Sequence, residues 1–133
     1  MTKKELYQQI REKQTFLCVG LDPDISKIPQ HLFNDKNPIL TFNNAIIGAT
    51  KDFCVAYKPN VAFYKRLGSK GWDILAETVG NISDTHMKIA DAKRSDIGNT
   101  ARVYAETYFD TFGFDAVTIN SYMGSDCLIH FWE

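Results

Sequence analysis

Four short β-rich runs, TFLCVGL (15–21), FCVAYK (53–58), HMKIADAK (86–93) and DAVTIN (115–120), recur along the chain with helix-patterned segments between them. Thr2 and Glu5 have the spacing of a capping box and open a first helix to about Lys13. Asn37 and Pro38 suit the cap and first position of a second helix over 37–52, whose apolar residues recur at helical spacing. A helical stretch over 61–82 is broken near Gly68–Gly71, a further helix covers 99–112, and another is expected to start at Asp126. Strands that alternate with helices run parallel and are joined by right-handed crossovers. Both an open doubly wound sheet and a (β/α)8 barrel meet that requirement.

Strand parity favours the barrel. Successive side chains of a strand point to opposite faces. Cys18, Gly20 and Asp22 share one face of the first run, and Cys54, Ala56 and Lys58 share one face of the second. Met87, Ile89, Asp91 and Lys93 do so in the third, and Ala116, Thr118 and Asn120 in the fourth. Each of these faces ends at its C-terminal tip in a polar or charged side chain. If they look the same way, Asp22, Lys58, Asp91, Lys93 and Asn120 converge on one patch, where a TIM barrel keeps its active site. An open sheet gathers ligand groups near a switch point instead.

Composition narrows the partners. With 133 residues, 44% hydrophobic, 23% charged and a net charge of −1, the chain suits a single domain with a real core. Near-zero charge without a basic run disfavours nucleic acid and acidic membrane surfaces. No apolar stretch approaches the roughly 18–20 residues that span a bilayer, and MTKKELYQQIREK is too polar for a signal peptide. Cys18, Cys54 and Cys127 are odd in number and far apart, and two of them sit in apolar runs, which suits reduced, buried thiols of a cytoplasmic protein better than a disulfide or a metal site. His31, His86 and His130 have no ligand spacing with them, so no zinc site is expected.

The densest chemistry lies in KIADAKRSDIGNTA (88–101), where an apolar run ends in Asp91, Lys93, Arg94 and Asp96. Burying several charges is costly unless they are paired, and such crowding marks functional sites. Each residue also has a plainer reading. An isolated Asp-x-Lys can be a structural ion pair, Asp22 a loop cap and Lys58 a snorkelling surface lysine. Thr100 can simply lie near a helix start, and Asn120 can serve a turn. Phe63, Tyr64, Tyr104, Tyr108 and Phe109 sit at helical spacings and read as packing.

DAKRSDIGNTA resembles the Asp-x-Lys-x-x-Asp signature, followed by Ile-Gly-x-Thr, of the orotidine 5′-phosphate decarboxylases. VGLDPD, AYKPNVAFYK and VTINSYMGSD are similar to the flanking strand ends of the longer bacterial form. The resemblance implies a (β/α)8 barrel and a cytoplasmic homodimer without metal or organic cofactor. It also implies conversion of orotidine 5′-monophosphate (OMP) to UMP and CO2 in pyrimidine synthesis. Carried over by position, Asp22 and Lys58 bind ribose hydroxyls, and Lys58 also joins the charged array. Asp91 faces the substrate carboxylate and Lys93 protonates C6. Asp96 and Thr100 reach the partner subunit's active site, and Asn120 lies at a matching strand end as a substrate-binding candidate. Lysine suits the acid role because, unlike arginine, it can give up a proton.

A whole barrel takes roughly 250 residues, and the loops that would bind the substrate phosphate in this family come after its last strands. The chain therefore reads as one domain over 1–133, an N-terminal half with about four β/α units. Two other readings stay open: a metal-dependent sugar-phosphate decarboxylase of the same superfamily, and a non-catalytic half-barrel that serves as a scaffold or dimerises.

Overall fold

The computed structural model describes residues 1–132. Thr2 caps helix α1 (Lys3–Lys13) reciprocally: its hydroxyl accepts from the Glu5 N–H at 3.3 Å, and the Glu5 carboxylate accepts from the Thr2 N–H at 2.6 Å. Helix α1 buries no residue of its own. Its last turn is tied down by Lys13, whose ammonium donates to the Cys54 carbonyl at 3.3 Å and lies 2.7 Å from the His86 ring nitrogen.

Four parallel strands follow, β1 (Cys18–Leu21), β2 (Ala56–Pro59), β3 (Met87–Arg94) and β4 (Ala116–Ile119), and they pair in that order. Helix α2 (Pro38–Thr50) follows β1, and α3 (Val61–Lys65) with α4 (Ser69–Gly80) follows β2. After β3 comes α5 (Gly98–Glu106), and after β4 comes α6 (Ile129–Trp132). A doubly wound sheet reverses its strand order at a switch point. This sheet never reverses, as expected of consecutive units of a barrel.

The helices cover one side of the sheet. Leu21, Tyr57, Ala90 and Ala92, of one parity, are buried beneath them with Ile47, Tyr64, Leu75, Val79, Tyr108 and Phe114. Burial pushes the Tyr57 phenol up to about 12, and its hydroxyl bonds Thr50 at 2.8 Å and donates to the Ile47 carbonyl at 3.1 Å. The opposite parity carries Cys18, Gly20, Lys58, Asp91 and Thr118. Cys54 and Cys127 are buried free thiols, but Cys18 is exposed. No described helix covers that face of β1, which leaves the Cys18 thiol open.

Element edges differ from the sequence reading where tertiary pairing decides. Strand β1 starts at Cys18 rather than Thr15, because its neighbour β2 pairs only from Ala56. Strand β2 starts late because Phe53 belongs to the turn leaving α2, its N–H donating to the Thr50 carbonyl at 2.9 Å. It also takes in Pro59, and the ladder continues through the Asn60 N–H to the Leu21 carbonyl at 3.1 Å. Helix α5 widens into a π turn over Thr107–Thr111, where the Phe112 N–H reaches the Thr107 carbonyl at 3.1 Å. Helix α6 begins at Ile129, three residues after the expected Asp126, because residues 125–128 form a turn closed by the Leu128 N–H on the Ser125 carbonyl at 3.1 Å. No helix among the described residues is long and apolar enough to cross a membrane.

The break near Gly68–Gly71 is where α3 meets α4. Gly68 has φ +66°, the left-handed region that favours glycine. At Gly71 an added Cβ would lie 1.8 Å from the Tyr64 carbonyl oxygen. Gly71→Ala must therefore force α3 and α4 apart. It is expected to lower unfolding stability by about 1–3 kcal/mol, read by urea denaturation.

Candidate active site

The site is built from backbone register. Gly20 pairs with Lys58, and Asn60 forms an isolated parallel bridge with Asp91. Asp22, Asn60 and Asp91 therefore line up across three strand tips, with Lys58 one pleat below. The Asn60 amide donates to Asp22 Oδ2 at 3.0 Å. Lys58 Nζ donates to Asp91 Oδ2 at 2.6 Å, and Lys93 Nζ ion-pairs with Asp91 Oδ1. One carboxylate thus holds two ammonium groups, one on each oxygen.

Exposure grades the three groups. The Asp91 side chain is 10% exposed, that of Lys58 34% and that of Lys93 67%. The carboxylate is shielded at the base, and Lys93 extends from it into solvent. Hydrogen bonds from Lys58 and then Lys93 hold the Asp91 carboxyl down at about 2, outweighing its burial. The same bond to Asp91 raises the Lys58 pKa.

A carboxyl whose folded pKa lies below its ordinary value of 3.8 contributes stability that is complete above that value and is lost as pH falls toward about 2. The stability difference between wild type and Asp91→Asn is expected to shrink across that interval in urea titrations. A difference independent of pH would contradict the assignment.

Simple alternation does not account for Lys93. From Ala90 to Arg94 strand β3 advances four residues while β4 advances two, from Val117 to Ile119. Asp91, Ala92 and Lys93 thus bulge opposite Thr118, and Lys93 adopts φ +48°. Because the insertion adds an even number of residues, parity is restored after it. Arg94 turns away from the lysines: its Nε donates to the Ala92 carbonyl at 3.1 Å, and its guanidinium lies 5.9 Å from the centre of the Tyr104 ring on α5.

Of the residues singled out in the sequence, Lys58, Asp91 and Lys93 are in direct contact, and Asp22 joins them through Asn60. Asp96, Thr100 and Asn120 are not brought into that array within this chain. Asp96 Oδ1 accepts from the Ile97 N–H at 2.8 Å. Thr100 is exposed in the first turn of α5. Asn120 Oδ1 accepts from the Tyr122 N–H at 3.1 Å and caps the turn Ser121–Met123, which is its plainer reading. Two contributors escaped the sequence reading. Asn60 follows Lys58 at inward parity, a signal that alternation could have supplied. Thr118 falls on the inward face by alternation, but its bond to Asp91 depends on the bulge.

A parallel sheet in unreversed strand order, alternating with helices and carrying its charged side chains at the strand tips, belongs to the TIM-barrel class. The chain belongs to the orotidine 5′-phosphate decarboxylase / HUMPS family, whose model matches residues 15–133. It is 54% identical to an orotidine 5′-phosphate decarboxylase of Parabacteroides distasonis, over 95% of this chain and 46% of that protein. Among solved structures it superposes on a Leishmania donovani OMP decarboxylase with a TM-score of 0.79 at 33% identity, covering 95% of this chain and 48% of the other. A Plasmodium berghei orotidine 5′-monophosphate decarboxylase gives a TM-score of 0.84 at 27% identity, with 97% and 55% covered. The chain spans about half the length of the curated relatives it matches. Its fold is thus the first four β/α units of a (β/α)8 barrel.

Proposed function

We propose that this chain supplies the charged half of an OMP decarboxylase active site. The observation that carries the reading is the single Asp91 carboxylate clamped between Lys58 and Lys93 at the strand tips. Losing CO2 from C6 of the pyrimidine leaves an electron pair in an in-plane orbital with no conjugated sink, so local positive charge must stabilise it. Lys93, held at one end by Asp91 and otherwise exposed, offers its ammonium to C6. As the C6–carboxylate bond breaks, the pair left on C6 takes the Lys93 proton, and CO2 departs.

Lys58, tied to the other oxygen of Asp91, keeps that carboxylate ionised and in place. Asp91 faces the substrate carboxylate, and loss of CO2 relieves their repulsion. Positioned electrostatics rank ahead of that strain. Asp22 and Lys58 are assigned to the ribose hydroxyls, and Asn120 stays a candidate of lower rank because its side chain is engaged in its own turn.

The functional unit in this reading is a homodimer, with Asp96 and Thr100 serving the partner's site. Three features support it. Among the described residues neither Asp96 nor Thr100 hydrogen-bonds or ion-pairs with Lys58, Asp91 or Lys93. The loop and helix that carry them expose apolar side chains, Ile97 at 58% and Val103 at 47%. Tyr122 and Met123 on the next strand-tip loop are exposed as well.

Joining this chain to the second half of the Parabacteroides distasonis relative and following the loss of OMP ultraviolet absorbance tests the reading. Turnover and a dimeric mass are expected. A folded product that neither turns OMP over nor binds UMP would favour the scaffold reading instead.

A further inference from the structure

The bulge in β3 creates a hydrogen-bonding problem that one side chain solves. A parallel ladder supplies alternate backbone N–H groups of a strand with carbonyls on one neighbouring strand, and residues inserted on one side lose that partner. Both the Ala92 N–H and the Lys93 N–H point instead at Thr118 Oγ1, at 3.0 Å each. A hydroxyl has two lone pairs and one proton. With both lone pairs engaged, the proton turns toward an acceptor. Asp91 Oδ1 lies at 3.2 Å and the Ala90 carbonyl at 3.5 Å, and the nearer, charged oxygen is the stronger partner.

The geometry points to Thr118 as the positioning residue of the Lys93–Asp91 pair: its hydroxyl replaces a strand carbonyl beneath the bulge and donates to the carboxylate that holds Lys93. This role rests on the function proposed above. β-Propensity alone does not explain the residue, because valine fills a strand position equally well but offers the two amides no acceptor. Thr118 pins the two peptide groups that flank Ala92, so the peptide entering the left-handed Lys93 is held by the neighbouring strand. Its hydroxyl also occupies Asp91 Oδ1, the oxygen that Lys93 uses.

Two measurements test the assignment. In wild-type protein, amide hydrogen exchange followed by NMR should show Ala92 and Lys93 protected although neither faces a strand carbonyl. Thr118→Val should expose both amides and move the Asp91 carboxyl titration to higher pH, and Thr118→Ser should restore both properties. In the joined barrel described above, Thr118→Val should lower kcat about 100-fold through misplacement of Lys93, with KM changed by less than about threefold. Thr118→Ser should recover most of that loss.

Wild-type Ala92 and Lys93 amides that exchange as fast as open-loop amides would overturn the proposal without any variant. So would a serine variant as impaired as the valine one. If Thr118→Val fails to fold, the wild-type exchange and the serine variant decide between these results. If the wild-type joined barrel is inactive, the decarboxylase reading falls, and the exchange data still decide what Thr118 holds.

Discussion

Lys93→Ala in the joined barrel is expected to lower kcat for OMP by about 10,000-fold, while UMP binding weakens far less. A positioned proton donor contributes up to about 10,000-fold, and removing the ammonium also deletes the charge that stabilises the developing carbanion. Lys93 is mostly exposed and makes its ion pair only with Asp91 among the described residues. Its loss should therefore leave the fold intact, and a circular dichroism melt should confirm that the lost activity is chemical. A tenfold loss or less would remove Lys93 from its role. Lys93→Arg should be nearly as inactive as the alanine variant, because guanidinium keeps its proton.

Asp91→Asn is expected to combine a functional and a structural effect. The carboxylate separates Lys58 from Lys93 and is the least exposed member of the three, so its neutral replacement leaves two ammonium groups facing an amide. Loss of two charged hydrogen bonds at a shielded position should lower unfolding stability by about 2 kcal/mol. The rate should fall about 1,000-fold, because Lys93 loses the group that aims it. Lys58→Ala should be milder in stability and should weaken nucleotide binding as well as turnover. If Asp91→Asn were more stable than wild type and retained full activity, the three residues would be an incidental surface cluster.

The inward placement of Asp22, Lys58 and Asp91 could be read from alternation alone, because the backbone period in β1, β2 and the first half of β3 is regular. The helix break at Gly68–Gly71 was readable for a local reason, a glycine with positive φ followed by one without room for a side chain. The bulge at Asp91–Lys93 was not readable from its own residues. It depends on a hydroxyl from β4, 25 residues beyond Lys93, and short-range patterns carry no information about such a partner. Lys93 thus falls on the inward face as alternation implies, but by a different route. The late start of β2 was hidden for a similar reason: Phe53 and Cys54 look like strand residues, and only the turn leaving α2 places them outside it. Asn120 shows the reverse case, in which a matching strand end resolved into a local turn cap.

The joined barrel, crystallised with UMP, provides the decisive observation for the charged array. Lys93 Nζ should lie at near-attack distance from pyrimidine C6, about 3–3.5 Å, with Lys58 and Asp22 at the ribose and Asp91 beneath the vacated carboxylate position. A nucleotide bound with its ring away from Lys93, or with Lys58 and Lys93 directed into the helical layer, would contradict the proposed chemistry.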